Sequence, residues 1–466
     1  MTPKFLMGSA LTAILMLGAC EGKTPIAPQS GSEKPVSVDS IAKVDANVQR
    51  LIEVAQSSTL GYEIIESLTT EIGPRLAGTQ AEARARDWGV AKFKELGFAN
   101  VHIEDFTIPG WERGVETASI VTPYPQQLYI TALGGSVATP AGGVTADVAY
   151  FPTFEALEAA PQGSLEGNIV YISGRMEKAP DGAGYGPANK KRRSGATEAA
   201  KRGAIAVLIR SVGTDSHRIP HTGQMRYADG VKKIPIAAMS GPDADQMDRI
   251  LKSGQIMSVT LNLGPRATGD RPSGNVIGEI IGSEKPDEIV LIGGHIDSWD
   301  LGTGAIDDGA GIGITVAAAK LLMDSGLKPK RTIRVVMFGA EEVGLLGGFA
   351  YAKAHKDTDL AKHVLASESD FGSGHIYAVK PGKTPGTVKF ASQLHKQIKG
   401  LDIDLSDEPS GGGPDIFPLN ELGVPSVRLQ QYGMDYFDLH HTPDDTFDKI
   451  NADDVAQNVA AYAALI

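Results

Sequence analysis

The chain has 466 residues, 42% of them apolar and 21% charged, which is the composition of an ordinary globular protein. A chain of this length predicts two or three domains rather than one simple core. The formal net charge of −12 argues against nucleic acid as the main partner. Because Cys20 is the single cysteine, no disulfide can form within the chain.

The first residues have the pattern of a bacterial lipoprotein signal. The apolar run Phe5–Leu17 is short for a membrane-spanning helix, and Leu-Gly-Ala precedes Cys20. This resembles the lipobox, whose cysteine is lipidated; an ordinary cleaved signal with a chance cysteine is the alternative. We predict a signal peptide over 1–19, a lipid anchor at Cys20 and a disordered tether over 20–44. We expect a bacterial cell-envelope protein on the outer membrane facing the periplasm, since Glu21 is not the Asp linked to inner-membrane retention.

The predicted folded part begins with apolar residues at helical spacing, and its amino-acid composition then changes. Apolar positions predict helices from Asp45 and over Ala81–Leu96, followed by short strands. Between about residues 122 and 271, Gly, Pro and Ala dominate, which favours an inserted β-rich domain. The basic run Lys190–Arg193 within it predicts a solvated face rather than an anion site.

Strands and helices alternate after the insertion. The predicted strands are Glu288–Gly294, Thr332–Phe338, His363–Ser369 and Val424–Leu429. The predicted helices are Gly309–Asp324, Leu345–Ala354 and Asp453–Leu465. This alternation predicts an α/β fold with a mostly parallel mixed sheet sandwiched by helices. One domain would then comprise residues 45–121 and 272–466, split by an insertion over 122–271.

Acidic residues and histidines follow four of these strands. They are His295, Asp297 and Asp307 after the first, Glu341 and Glu342 after the second, Asp370 after the third, and His440 and His441 after the fourth. Sites in open α/β sheets form beyond the carboxyl ends of strands, so these side chains should meet at one edge. Clustered carboxylates without a cation would cost stability. The residue types suit a pair of divalent ions, with zinc favoured.

The chemistry of such a site assigns several tasks. One carboxylate that bridges two metals would hold them roughly 3.5–4 Å apart, which suits water activation. A further carboxylate is needed as general base, and adjacent Glu341 and Glu342 offer one ligand and one base. Asp297, two residues beyond His295, is placed to accept the other imidazole N–H.

Four segments together carry a family resemblance. They are GGHIDSWDLGTGAIDDG, FGAEEVGLLGG, SESD and HHTPDDT. The chain resembles the co-catalytic dizinc exopeptidases of the bacterial aminopeptidase and glutamate carboxypeptidase type over nearly all of Asp45–Ile466. Within that family, HIDSWD and IPHTGQMRYADGVKKIP are closest to the plasma glutamate carboxypeptidase subgroup (carboxypeptidase Q). The resemblance implies a zinc-peptidase domain interrupted by a protease-associated-type domain.

The resemblance also implies residue roles. The metal ligands would be His295 and Asp370 on one zinc, Glu342 and His441 on the other, and Asp307 as the bridge. Glu341 would be the general base, with Asp297 beside it in the catalytic set. His441 is preferred to His440 by the family's His-Thr/Ser-x-x-Asp pattern, and His440 takes the position where some relatives carry a Tyr that stabilises the oxyanion. Asp415 is a candidate substrate residue, and His221 is expected to be a loop histidine.

These features predict a zinc-dependent aminopeptidase or dipeptidase with two Zn²⁺ per chain. Its partners would be peptides or dipeptides and a membrane, which it contacts through the lipid anchor. The resemblance to relatives also implies a homodimer with a second copy of the chain. Two alternatives stay open: a glutaminyl-cyclase-like acyltransferase with a single zinc, and a non-catalytic receptor-like binding protein on the same fold.

Overall fold

The computed structural model describes residues 44–466. The predicted signal peptide, the lipidation site Cys20 and the tether up to residue 43 lie outside the described residues. Within residues 44–466, no helix combines the length and apolar character needed to cross a membrane.

The helices of the described chain match most of the predicted ones. They are α1 (Ala46–Gln56), α2 (Leu60–Glu71), α3 (Gln80–Leu96), α4 (Phe154–Glu158), α5 (Tyr185–Lys201), α6 (Gly241–Lys252), α7 (Ala310–Asp324), α8 (Leu346–His355), α9 (Pro385–Gln397), α10 (Phe417–Glu421), α11 (Tyr436–Leu439) and α12 (Ala452–Leu465). Local chemistry fixes the ends of α3: Thr79 caps the first turn through Glu82 N–H, and Gly97 ends the helix with a left-handed conformation.

The strands form three sheets. They are β1 (Ala99–Glu112), β2 (Glu116–Thr122), β3 (Gln126–Leu128), β4 (Ile130–Ala132), β5 (Val144–Phe151), β6 (Ile169–Ile172), β7 (Ala206–Arg210), β8 (Ile236–Met239), β9 (Ser258–Leu263), β10 (Arg266–Ile280), β11 (Lys285–His295), β12 (Arg331–Phe338), β13 (His363–Glu368), β14 (Ile376–Pro381), β15 (Asp404–Leu405) and β16 (Val427–Gln431). Their orders are β1-β10-β12-β11-β13, β15-β14-β16 and β3-β2-β9-β5-β6-β7-β8-β4.

The five-stranded sheet carries the strand ends of interest. β11 is parallel to both β12 and β13, whereas β1 with β10 and β10 with β12 are antiparallel. The α/β class with a mixed sheet is therefore confirmed, but the expectation of a mostly parallel sheet is wrong for this sheet. The antiparallel pairing of β1 with β10 brings the chain back after the intervening sheet, and the sequence pattern did not predict β10.

Helices cover both faces of this sheet. On β11, Val290 and Ile292 join the core formed with α7 and α12, while Leu291 points to the opposite face and packs in the cluster that contains Tyr351 of α8. Successive strand residues alternate between faces, so an unbroken apolar run is what a doubly covered strand requires. Packing on both sides fixes the position of His295 at the end of β11.

The eight-stranded sheet occupies the region of the predicted insertion, with different limits. β2 pairs with β9, so the eight-stranded sheet begins before the predicted boundary at residues 121/122. At the other end, β10 begins at Arg266, before the predicted boundary at 271/272, and pairs with β1. The change between the sheets therefore lies at about residues 113–115 and 264–265. The long β1–β10 ribbon joins the two parts.

Candidate metal centre

Four segments meet at the carboxyl edge of the five-stranded sheet. His295 ends β11, Glu341 and Glu342 follow β12, Asp370 follows β13, and His441 lies beyond β16 and α11. The two histidines, Glu342, Asp370 and also Asp307 and His440 are buried, and Glu341 is partly exposed. The structure thus brings together the side chains that the strand-end pattern grouped.

Asp307 lies at the centre of the cluster. Its Oδ1 is 3.1 Å from His295 Nε2, and its Oδ2 is 3.3 Å from His441 Nε2. His441 Nε2 is also 2.9 Å from Glu342 Oε2, and His295 Nε2 is 4.0 Å from Asp370 Oδ1. The two carboxylate oxygens of Asp307 therefore face two different pairs of potential ligands.

His440 extends the same cluster. Its ring stacks on His441 with centroids 3.5 Å apart, and its Nε2 is 3.5 Å from Asp307 Oδ2. Its Nδ1 is buried without a hydrogen-bond partner among the described residues. Burial and the adjacent His441 lower the pKa of His440 well below its usual range. Either His440 or His441 can thus reach Asp307, and Glu342 contacts His441.

The loop that carries Asp307 is fixed from outside. Asp445 accepts hydrogen bonds from Ile306 N (2.6 Å) and Asp307 N (3.3 Å). Asp308, next to the bridge position, accepts from His295 N (3.0 Å) and Gly311 N (2.9 Å). Since both Asp308 oxygens accept hydrogen bonds from backbone donors, Asp308 stabilises the loop.

A buried arginine that the sequence reading missed closes this loop. Arg75 has no exposed surface, and its guanidinium donates to the carbonyl oxygens of Ile296 (2.5 Å), Thr303 (2.6 Å) and Gly304 (2.9 Å). The only sequence signal was the Gly-Pro-Arg-Leu-Ala-Gly turn that contains it. Nothing in the turn pattern indicates the loop that Arg75 contacts.

Asp297 has a different set of contacts from the predicted one. Its carboxylate accepts hydrogen bonds from Glu341 N (3.0 Å) and Glu342 N (3.3 Å). His295 Nδ1 is 2.9 Å from the backbone oxygen of Asp297 but 3.6 Å from the carboxylate. The carbonyl oxygen therefore orients His295, and the side chain orients the turn with the two glutamates.

The eight-stranded part reaches the site within the same chain. His441 Nδ1 is 3.3 Å from Thr222 O, and His221 Nδ1 is 2.7 Å from His440 O. His221 Nε2 contacts Asp215 Oδ1 at 2.7 Å. In the tautomer that is protonated on Nδ1, His441 donates a hydrogen bond to Thr222 O and its Nε2 is available as a ligand. His221 supports the His440–His441 segment and is more than a simple loop histidine.

Two sequence predictions in this region are wrong. Lys191 and Arg192 are buried, at 3% and 4% exposure, so the basic run is not simply a solvated face. One face of α5 packs on the sheet, and Arg192 there donates to Tyr185 Oη. Asp415 does not line the cleft: it is fully buried, and its carboxylate accepts from Gly348 N (3.0 Å) in α8.

The electrostatics of the cluster favour a bound cation. Burial and neighbouring carboxylates raise the pKa of Glu341 and Glu342 well above their usual range, and burial is the main cause that raises the pKa of Asp370 to about 6. Asp307 Oδ2 and Glu342 Oε1 are buried and make no hydrogen bond within residues 44–466, although His441 Nε2 lies 3.3 Å from Asp307 Oδ2. Each such orphaned oxygen costs about 1–3 kcal/mol, which coordination would offset. The imidazole and carboxylate donors fit zinc.

A cleft of about 490 Å³ opens onto this cluster. Its floor contains Asp307, Glu341, Glu342 and Asp370. Its walls contain aromatic and basic residues from both parts of the chain: Tyr185, Arg192, Arg193, Arg226, Phe371, Arg428, Tyr436 and Phe437. Tyr185 stacks on Phe437 at a centroid distance of 4.9 Å. The cleft therefore combines an acidic floor with aromatic and cationic walls, a volume and lining suited to a small ligand.

Comparisons with known proteins agree with this architecture. The family model for peptidase family M28 matches residues 275–466. Carboxypeptidase Q of Homo sapiens is 34% identical to the chain, covering 98% of it and 96% of the human protein. The structure of a peptidase M28 precursor from Shewanella amazonensis SB2B has 50% identity and a TM-score of 0.88, covering 90% of this chain and 94% of that chain. A zinc aminopeptidase from Bacillus subtilis shares the fold, with 22% identity and a TM-score of 0.66 over 87% of this chain and 93% of that chain.

Proposed function

The chain belongs to peptidase family M28, and from that membership we propose that it is a dizinc exopeptidase acting next to a free terminus of a peptide. The observation that carries the proposal is the position of Asp307. Its two oxygens face His295 on one side and His441 on the other, at 3.1 Å and 3.3 Å. A bridging carboxylate between two ligand pairs is the arrangement that two ions require.

Each ion would have three protein ligands. His295, Asp307 and Asp370 would hold one, and Asp307, Glu342 and His441 would hold the other. The orphaned oxygens of Asp307 and Glu342 support this assignment, because coordination would give each buried oxygen a partner. Zinc with three protein ligands keeps a position for water or substrate, as catalytic sites do.

The reaction would be hydrolysis of a peptide bond by water. When bound, the ions supply Lewis acidity toward the scissile carbonyl and lower the pKa of a coordinated water. Glu341 would accept a proton from the attacking water and pass it to the leaving amine nitrogen. Asp297 holds Glu341 in place, because its carboxylate accepts the hydrogen bond from Glu341 N.

The preference for a free terminus has two supports. The relatives with strong similarity are named carboxypeptidase Q, and a neighbour in structure is named an aminopeptidase. The cleft is confined by the eight-stranded part: Gly433 N donates to Pro180 O at 2.8 Å, and Lys178 forms an ion pair with Asp438 at 2.8 Å. A cleft bounded in this way favours short substrates or chain ends over internal segments of folded proteins.

A substrate panel tests the exopeptidase proposal. Dipeptides, tripeptides and peptides blocked at both ends would be assayed with the zinc-loaded chain, before and after a chelator. We expect cleavage of substrates with a free terminus, weak cleavage of blocked ones, and loss of both after chelation. Equal rates on blocked and free peptides would refute the exopeptidase proposal, and cyclisation of peptides that begin with Gln would favour the acyltransferase alternative.

The lipid anchor at Cys20, the envelope location and the homodimer rest on the sequence and the family resemblance. We propose that the chain is anchored through Cys20 and acts in the cell envelope. Expression in a bacterial host with labelled fatty acid should label the chain, and Cys20→Ala should abolish the label and release the protein from the membrane fraction. A labelled Cys20→Ala variant would refute the anchor.

A further inference from the structure

Three arginines that line the cleft lack the carboxylate partners that several other arginines of the described chain have. Within residues 44–466, Arg193, Arg226 and Arg428 form no ion pair, although each lines the catalytic cleft. In the same eight-stranded part, Arg113 pairs with Asp300 at 2.5 Å and Arg202 with Glu198 at 2.8 Å. The paired arginines join elements of the protein, whereas the cleft arginines keep donors available for a ligand.

Two of the cleft arginines are side by side. Arg226 N donates to Arg193 O at 3.1 Å, and both side chains are exposed at the cleft. Neither guanidinium donates a hydrogen bond within the described residues. Arg192, their neighbour, differs because it is buried and donates to Tyr185 Oη. Arg428 also differs, because it donates to the backbone oxygen of Asp370 at 3.3 Å and lies over the ring of Phe371. The guanidinium groups of Arg193 and Arg226 are thus available to bind an anionic group.

Their position relates them to the proposed base. Arg226 Nη2 lies so close to Gly344 that a Cβ there would be 2.8 Å away. Gly344 N in turn donates to Glu341 O at 2.8 Å. Arg226 therefore crosses from the eight-stranded part to the turn that carries Glu341 and Glu342. An anion bound by this arginine would lie beside that turn.

We propose that Arg193 and Arg226 form a subsite for a substrate carboxylate on the leaving side of the scissile bond, an inference that rests on the proposed peptidase function. Guanidinium groups bind carboxylates through paired, charge-assisted hydrogen bonds. A residue of extended chain spans at most about 3.6 Å, so the terminal carboxylate of a dipeptide stays within about 7 Å of its amine. The acidic floor and the arginine pair would match these opposite charges.

The test compares three alanine-based substrates with the whole zinc-loaded chain. They are Ala-Ala, Ala-Ala amide, which lacks the free carboxylate, and Ala-Glu α-amide, which has one only in its side chain. We expect Arg193→Ala and Arg226→Ala each to lower kcat/KM on Ala-Ala by about 10- to 100-fold, mainly through KM. Hydrolysis of Ala-Ala amide should change by less than about threefold, because its uncharged end offers no ion pair.

The three substrates also distinguish a carboxylate at the chain terminus from a carboxylate in a side chain. A loss on Ala-Glu α-amide but not on Ala-Ala would assign the subsite to an acidic side chain, and the reverse assigns it to the chain terminus; both support a carboxylate subsite. Lys190→Ala, in the same basic run but outside the lining of the cleft, is the control and should change none of the three rates. Equal losses on all three substrates, or no loss on any, would overturn the proposal. If the wild-type chain cleaves none of the three substrates, the peptidase function itself is refuted.

Discussion

The floor and the wall of the cleft are built on different principles. The floor consists of carboxylates and histidines at strand ends, packed so closely that Asp307 and Glu342 keep buried oxygens without partners. The wall from the eight-stranded part consists of cations such as Arg193, which stand in the cleft without a carboxylate partner among the described residues. The floor therefore has negatively charged groups that lack partners, and the wall has positively charged groups that are available to a ligand.

This difference distinguishes charged residues that can bind a ligand from charged residues that connect elements of the protein. Where Arg113 meets Asp300, or Arg210 meets Asp248, charges are satisfied within the protein and connect its elements. The buried oxygens of the floor lack such partners at a cost in free energy, which a bound cation would offset. The exposed arginines of the wall are solvated and remain available to a ligand. We therefore propose metal ions as the partners of the floor and an anionic part of the substrate as the partner of the wall.

Removing the centre of the floor should have the largest effect. Asp307→Ala takes away the oxygens that face both ligand pairs, so both zinc ions should bind poorly. We expect kcat/KM to fall at least about a thousandfold, because the metal supplies several kcal/mol of transition-state stabilisation. Zinc content by mass spectrometry should fall in parallel. Asp287→Ala, at the opposite end of β11, is the control; equal losses in it would contradict the assignment.

Glu341→Gln should separate the base from the ligands. It keeps the size of the side chain but cannot accept the proton, so kcat should fall by about 100- to 10,000-fold with zinc content unchanged. Glu342→Gln, its neighbour, should lower zinc content as well as rate. Rate assays and measurement of zinc content on both variants check these two expectations. If Glu341→Gln loses zinc and Glu342→Gln does not, the two roles are reversed.

Asp445→Asn should have a smaller, indirect effect. The carboxylate accepts from Ile306 N and Asp307 N and so fixes the bridging residue from behind. Weakening such support lowers metal affinity by about 10- to 100-fold, which a competitive chelator titration would detect. Adjacent Asp444, paired with Lys449 at 3.1 Å, gives the control Asp444→Asn. An unchanged affinity in Asp445→Asn would show that the loop does not need this support.

The last prediction concerns folding stability at a buried cation of α5, away from the lining of the cleft, and has the smallest expected effect on activity. Burial, with Arg210 and Arg192 nearby, lowers the pKa of Lys191 from 10.5 to about 7. Below pH 7 both the folded and unfolded states bind the proton, so the full cost of burial is present. Between about pH 7 and 10.5 the unfolded state binds more protons, so this cost is relieved as pH rises, by up to about 1.4 kcal/mol per unit.

Lys191→Met should therefore gain stability relative to the wild type at pH 7, and the gain should shrink toward pH 10. Urea unfolding at several pH values measures the difference between the two proteins. Lys190→Met, an exposed neighbour, should leave the pH dependence of the wild type unchanged. A constant difference between Lys191→Met and the wild type from pH 7 to 10 would contradict the lowered pKa.

The floor could be predicted from the sequence because its information is local. His295 directly ends an apolar strand, and Glu341 and Asp370 follow two more strands, so their meeting point follows from the parallel pairing of β11 with β12 and β13. Those strands and the helices α7 and α12 were predicted within a few residues. Their strong apolar periodicity made them recognisable.

The wall and the supports depend on contacts that no local pattern encodes. Arg75 contacts a loop more than 220 residues away in sequence, from Ile296 to Gly304. Asp415 lies in a glycine-rich stretch that resembles a binding loop, yet it packs behind α8. Strand β10 was missed because its first half is polar, exposed and contains Gly and Pro, and pairing with β1 overrides that composition.

The number of zinc ions per active chain tests the two-ion floor most directly. Metal-free protein would be titrated with zinc while bound metal and hydrolysis of Ala-Ala are measured together. The arrangement around Asp307 predicts two zinc ions per chain at full activity. Full activity with one zinc per chain would contradict it.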